Sequence, residues 1–214
     1  MPQTKLSSHS RIMENTDSLN IDMSMRLDLV SRFYPMLSAG FKVSARTACS
    51  VRDLLCRQIG ISEDYLDKKI QTIFLDGKVI DDVEAPVVLD GSILSLSAAM
   101  PGLVGATLRR GGHLAAMRSQ ISHNQKETTL KDQRGKVTLK LFNLTTRDIG
   151  PFFLAQGIWI SGTDFEYILS SYGHDLQRGC RLANLNNQEI TVQKLFGMDW
   201  KNKVVFLQVK VSQD

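Results

Sequence analysis

The stretch Ile73-Phe74-Leu75-Asp76-Gly77-Lys78-Val79-Ile80 decides the reading of the fold. Two short apolar runs flank an Asp-Gly pair. A tight hairpin turn that matches the twist of its strands needs positive φ at both central residues, which Asp and Gly tolerate. The stretch therefore predicts a β-hairpin. Downstream, a second Asp-Gly (Asp90-Gly91) precedes Ser92-Ile93-Leu94-Ser95-Leu96-Ser97, whose polar–apolar alternation is that of a half-buried strand. Upstream, Ser50 is placed as a helix N-cap, with Asp53 at the positive end of the helix dipole. Val51, Leu54, Leu55 and Ile59 follow at helical spacing, and Gly60 stands where a C-cap glycine belongs. Phe41–Ala45 alternates, as does Arg26–Phe33, with Pro35 and Gly40 bracketing the turn between them. The predicted order is strand, strand, helix, strand, strand, strand.

A comparable order follows in the second half. Lys136–Phe142 alternates, and Gly157-Ile158-Trp159-Ile160 is a short apolar run. Thr163-Asp164-Phe165-Glu166 has the form of a capping box ahead of Tyr167, Ile168 and Leu169, with Gly173 as the stop. Arg181–Leu185, the turn pair Asn186-Asn187 and Lys203–Val209 complete the series. The spacing of turn signals suggests a divergent second copy of the first module. A short helix in Thr146–Leu154, with Pro151 in its first turn, makes it instead a different small α+β unit. Both readings stand. The expected division is a disordered, Ser- and Asn-rich tail over 1–24, a folded domain over 25–112, a basic linker over 113–135 and an α+β domain over 136–214.

Of the 214 residues, 43% are apolar and 22% charged, an ordinary globular mixture. No apolar run approaches the roughly 18 residues that cross a bilayer, and no secretory leader is visible, so a cytoplasmic protein without a membrane partner is expected. Charge is unevenly placed: residues 113–150 carry seven Lys or Arg against three Asp or Glu. Such an excess attracts nucleic acid or an acidic protein face, or simply solvates a linker.

The three motifs Ser50-Val51-Arg52-Asp53-Leu54-Leu55, Ile73–Ile80 and Leu89-Asp90-Gly91-Ser92-Ile93-Leu94-Ser95-Leu96 resemble, in that order, those of the β-grasp (ubiquitin-like) sulfur carriers. That branch includes the small subunits of molybdopterin synthases and the sulfur carriers of thiamine biosynthesis. The resemblance covers residues 26–112 and implies an N-terminal β-grasp module in an α+β protein. It also implies a non-enzymatic role through protein–protein contact, with an E1-like adenylating enzyme or a cofactor-synthesis enzyme as partner. In such carriers a terminal Gly-Gly carries the acyl chemistry. Here Leu108-Arg109-Arg110-Gly111-Gly112 is similar to that tail, but His113 and 101 further residues follow. Gly111 and Gly112 thus read as a tail exposed by processing, as a relic in a binding module, or as a bend between domains.

Other chemistry is poorly represented. His9, His113, His123 and His174 lie at no metal-ligand spacing, no catalytic set is evident, and no cofactor is expected. The glycines of Pro101–Ala106 lack the Lys-Ser/Thr of a nucleotide loop and are expected in a close-packed loop. Cys180, between Gly179 and Arg181, is the candidate reactive thiol, whereas Cys56 reads as core. Asp81, Asp82 and Glu84 read as a solvated turn or a contact for a basic partner, and Phe152, Phe153, Trp159, Phe165 and Tyr167 as core of the second module rather than a base-stacking platform. The competing functional reading is an RNA-binding β-grasp protein that uses the basic segment 109–140.

Overall fold

The computed structural model describes residues 18–114 and 133–212. The first half runs β1 (Ser18–Met25), α1 (Leu27–Val30), a 3₁₀ turn (Ser31–Phe33), α2 (Tyr34–Ala39), β2 (Phe41–Arg46), β3 (Cys49–Ser50) and a π helix (Asp53–Ile59). It continues with α3 (Glu63–Lys68), β4 (Thr72–Leu75), β5 (Lys78–Ile80), β6 (Val87–Val88), β7 (Ile93–Ser97) and α4 (Gly102–Leu108). The second half runs β8 (Arg134–Phe142), α5 (Leu144–Gln156), β9 (Ile158–Ser161), α6 (Gly162–Gly179) and β10 (Cys180–Leu185). β11 (Gln188–Glu189), α7 (Val192–Phe196) and β12 (Val204–Val211) complete it. The result is a mixed α/β protein.

Ten strands form one sheet, in the order β11-β10-β1-β12-β9-β2-β8-β7-β4-β5, while β3 and β6 pair separately. Each half places its leading strand in the other. β8 lies antiparallel to β2 and parallel to β7, and β1 lies antiparallel to β10 and parallel to β12. The exchange is not symmetric. β8 sits between β2 and β7, whereas β1 sits between β12 and β10 rather than next to β9. A boundary near residues 113–135 therefore does not part the described residues into two separate sheets.

Alternation along the strands explains the layering. Ile21, Met23, Met25, Phe41, Val43, Val137, Leu139, Leu141, Val205, Leu207 and Val209 are buried, and their neighbours in sequence are half-buried or exposed. α5 packs on β12 and β8, α2 on β8, α6 on β9 and β12, and the π helix on β2. Phe153 of α5 meets Phe41 edge to face at 5.1 Å, and Phe165 of α6 meets Trp200 at 4.8 Å. Each such pair adds about 0.5–1.5 kcal/mol beyond its buried area. The Trp200 indole N–H donates to the Leu195 carbonyl at 3.0 Å, so this buried ring leaves no polar atom unpaired.

The turns form where expected. Asp76 (φ 50°) and Gly77 (φ 78°) turn β4 into β5, and Asn186 and Asn187 (φ 51° and 65°) turn β10 into β11. The Ser50 hydroxyl accepts from the Asp53 N–H at 3.1 Å, and Gly60 ends that helix in the left-handed region.

Other local expectations are corrected. Arg26–Phe33 is helical, not a strand, because Leu29, Val30, Phe33, Met36 and Leu37 are the buried positions while Leu27 is 68% exposed. That spacing is the helical 3.6 period, running past Pro35, which lies in the first turn of α2. Residues 18–24, expected within the tail, are strand: Ile21, Met23 and Met25 alternate inward beneath a polar composition. Leu144–Gln156 is a full 13-residue helix containing Pro151. The cap of α6 is Ser161, which accepts from the Asp164 N–H at 3.0 Å, one turn boundary earlier than the Thr163 box. Gly173 does not stop α6; it is buried mid-helix, where a Cβ would collide with the Phe196 ring. Pro101–Ala106 opens a helix, α4, rather than a loop.

A chain beginning at Arg26 lacks an interior strand of the second half. It is expected to lose the cooperative thermal transition seen by circular dichroism for the full chain. In the full chain, Met25→Ala is expected to lower stability by about 2–5 kcal/mol in urea unfolding.

Candidate functional site

β2 and β8 pair along Phe41–Arg46 and Arg134–Leu139, in the register Lys42↔Thr138, Ser44↔Lys136 and Arg46↔Arg134. The outward positions of these strands are Lys42, Ser44 and Arg46, and Arg134, Lys136, Thr138 and Lys140. Five are cations, and neither strand contains an Asp or Glu. Arg46 and Arg134 stand directly opposite one another, a like-charge pairing that is destabilising on a sheet unless offset by a neighbour such as Asp53. Successive rows of the strip are one two-residue step apart, about 6.7 Å.

Two grooves lie along this strip. β2 and β9 pair only at Lys42↔Trp159, and the seam beside that bridge opens into a groove of about 240 Å³. Lys42, Lys136, Thr138, Trp159 and Asp164 are among its walls. The half-buried Trp159 ring lies 5.0 Å from Phe206, and the Lys136 ammonium sits 4.3 Å above it. That cation–π contact holds the indole in place. A second groove, of about 490 Å³, lies by Arg46, Arg57, Gln58 and Arg134. Gln58 fixes its floor: its side chain accepts from the Arg46 N–H at 2.8 Å and donates to the Arg46 carbonyl at 3.1 Å. It also donates to Asp53 at 2.8 Å, and Asp53 lies 3.5 Å from Arg57 and 4.0 Å from Arg46.

The Arg-Arg-Gly-Gly segment is folded back onto the first half. Arg110 donates through its backbone N–H to the Gln71 carbonyl at 2.7 Å and through its guanidinium to the Leu66 carbonyl at 3.0 Å. Its guanidinium also lies 3.6 Å from Asp67, which receives Arg52 at 2.9 Å. Burial pulls the Arg110 pKa down, and the Arg52 bond holds the Asp67 carboxyl below its usual range. Gly111, at φ 64°, donates its N–H to Asp81 at 2.9 Å, and the Gly112 N–H donates to the Arg109 carbonyl at 3.1 Å. Glu84 pairs with Arg52 at 2.5 Å. The acidic turn after the hairpin thus serves these arginines and glycines.

The remaining expected site residues fall apart in space. Cys180 starts β10 half-buried and donates to the Leu182 carbonyl at 3.2 Å. Burial pushes its thiol up, against the lowered value expected from its neighbours in sequence. Cys49 and Cys56 are raised for the same reason. Among the aromatics expected as core, Phe153 and Phe165 are buried, but Tyr167 is 59% exposed and Trp159 belongs to the outer groove. Among the described residues no group of three His, Cys, Asp or Glu is placed to hold a metal. Among them also, no helix is long and apolar enough to cross a membrane. His9 and His123 lie outside the described residues.

Compared with protein-family models, curated proteins and solved structures, the chain finds no match. The site must be read from its own geometry.

Part of that site was visible in the basic segment 109–140, which contains Arg134, Lys136 and Lys140. Lys42, Arg46 and Arg57 were not singled out, and Trp159 was named among the aromatics expected as core in preference to a base-stacking platform. The alternation of Phe41–Arg46 does set Lys42 and Arg46 on one face, but only the pairing with β8 brings them to the same strip.

Native-state alkylation by iodoacetamide is expected to label Cys180 more slowly than a free cysteine at pH 7.5. Its rate should keep climbing at pH values where the free thiol has levelled off, as followed by peptide mass spectrometry. Arg110→Ala should destabilise the chain by about 1–3 kcal/mol in urea unfolding, since it strips a charged donor from the Leu66 carbonyl.

Proposed function

We propose that the outer face of the sheet is a binding surface for single-stranded nucleic acid. Lys42, Arg46, Arg134, Lys136 and Lys140 hold the phosphates, and Trp159 stacks on a base. The observation that carries this reading is the β2–β8 strip: five outward cations without a carboxylate in either strand, beside an indole held at the lip of a groove. Single-strand binders combine these two elements, a basic track for the backbone and an aromatic ring for the bases. Row spacing on the strip matches the step of one nucleotide in an extended strand.

The first half is read as a β-grasp unit whose leading strand is β8, delivered from the second half. With β8 counted first, β2, the π helix, β4, β5 and β7 complete the order strand, strand, helix, strand, strand, strand. The sulfur-carrier reading is a weaker alternative. It asks for cleavage after Gly112 and for release of Arg110 from Leu66 and Asp67. A cytoplasmic location is part of the same reading.

Fluorescence anisotropy with a labelled single-stranded oligonucleotide of about twelve residues tests the proposal. Binding at about 50 mM salt should weaken with a log–log slope near −3.5, reflecting about five displaced counterions. Lys136→Gln should lower that slope by about 0.7, and Trp159→Ala should weaken binding roughly 5- to 150-fold. Absence of binding at 50 mM salt overturns the proposal. Salt-dependent binding to polyglutamate but not to oligonucleotides reassigns the strip to an acidic protein partner.

A further inference from the structure

The groove at the Arg46 end of the strip has a composition that a track for phosphodiesters does not require. Arg46 and Arg134 face each other across two strands, and Arg57 reaches the same groove from the helix layer. Arg134 has no carboxylate partner among the described residues, and the Arg57 side chain is 70% exposed, with Asp53 as its ion-pair partner. A phosphodiester brings one negative charge. A phosphate monoester brings about −1.5 to −2 at neutral pH and three acceptor oxygens. Guanidinium forks bind such an oxygen set two bonds at a time, which a lysine ammonium does not. The groove also lies where the strip ends: β2 stops at Arg46, and the Thr47 N–H and hydroxyl close onto the Gln133 carbonyl at 2.8 and 2.9 Å. A strand lying along the face runs out at this point.

We infer that Arg46, Arg57 and Arg134 form a clamp for a terminal phosphate monoester, so that the protein recognises phosphorylated ends of single-stranded nucleic acid. This deepens the reading of the outer face and rests on it. Arg57 is the separable member, since it stands off the strip on the helix layer. The charged and titratable groups facing the groove are Arg46 from β2, Arg134 from β8, Arg57 and Asp53 from the π helix and the Cys49 thiol from β3, which burial raises. None is a histidine. The ionisation that matters between pH 5 and 8 is therefore the ligand's own second step, near pH 6.

The test uses the full chain and one oligonucleotide sequence in three forms: 5′-phosphorylated, 3′-phosphorylated and without a terminal phosphate. At least one phosphorylated form should bind about tenfold more tightly at pH 7.5, and which one does assigns the polarity of the strand on the sheet. The advantage should shrink several-fold at pH 5. Arg57→Gln should abolish the advantage while changing the affinity of the unphosphorylated form by no more than about twofold. Equal affinity for all three forms overturns the clamp and leaves the binding surface standing. An advantage that survives both Arg57→Gln and Arg134→Gln places the phosphate elsewhere and also overturns it. Failure of every oligonucleotide to bind, with inorganic phosphate or a nucleoside monophosphate still bound in an Arg57-dependent way, retains the clamp and removes the surface.

Discussion

The pairing of β8 with β2 on one edge and β7 on the other is the contact on which the rest of the structure depends. Without it the first half is two fragments, β2 with its helix and the β7-β4-β5 sheet, each with an unpaired edge. Backbone donors and acceptors in the middle of a sheet need partners, and for β2 and the β8-facing edge of β7 only the second half of the chain supplies them. The reciprocal insertion of β1 between β10 and β12 binds the second half to the first in the same currency of hydrogen bonds. Local sequence therefore shapes each element, while the two halves become stable together.

The same insertion creates the candidate site. On their own, β2 and β8 are ordinary amphipathic strands, each with a polar face. Set side by side, their polar faces add into a track of cations, with Arg46 opposite Arg134. The seam with β9 adds Trp159, whose ring is held by Phe206 on one side and Lys136 on another. A sheet with helices on one side leaves such a face for solvent or a partner, and here that face carries five cations.

The Arg-Arg-Gly-Gly segment illustrates how a motif can be legible while its setting is not. In sequence it was likened to a carrier tail. In the fold it is bound by the end of α3 and the acidic turn after β5, with Arg110 donating to Leu66 and Gly111 to Asp81. The carboxylates Asp67 and Asp81 are its intramolecular partners, while Glu84 of the same acidic turn pairs with Arg52. Likewise the Gly179-Cys180-Arg181 run suggested an activated thiol, but the half-buried strand around Cys180 keeps it protonated.

By itself, the amino-acid sequence determined the short-range features: the Asp76-Gly77 hairpin, the Asn186-Asn187 turn, the Ser50-to-Gly60 helix, the alternation of β2, β7 and β8, and a basic excess in mid-chain. These depend on turn chemistry, capping and period, which act over a few residues. It misled where a second period was superimposed, as in the Arg26–Phe33 run, and where polar composition masked the inward Ile21, Met23 and Met25. Tertiary structure alone decided which strands are neighbours, and so which charges share a face. Strand pairing joins residues from about ninety to nearly two hundred positions apart, and no local preference specifies the partner; the burial of both apolar faces under one helix layer does.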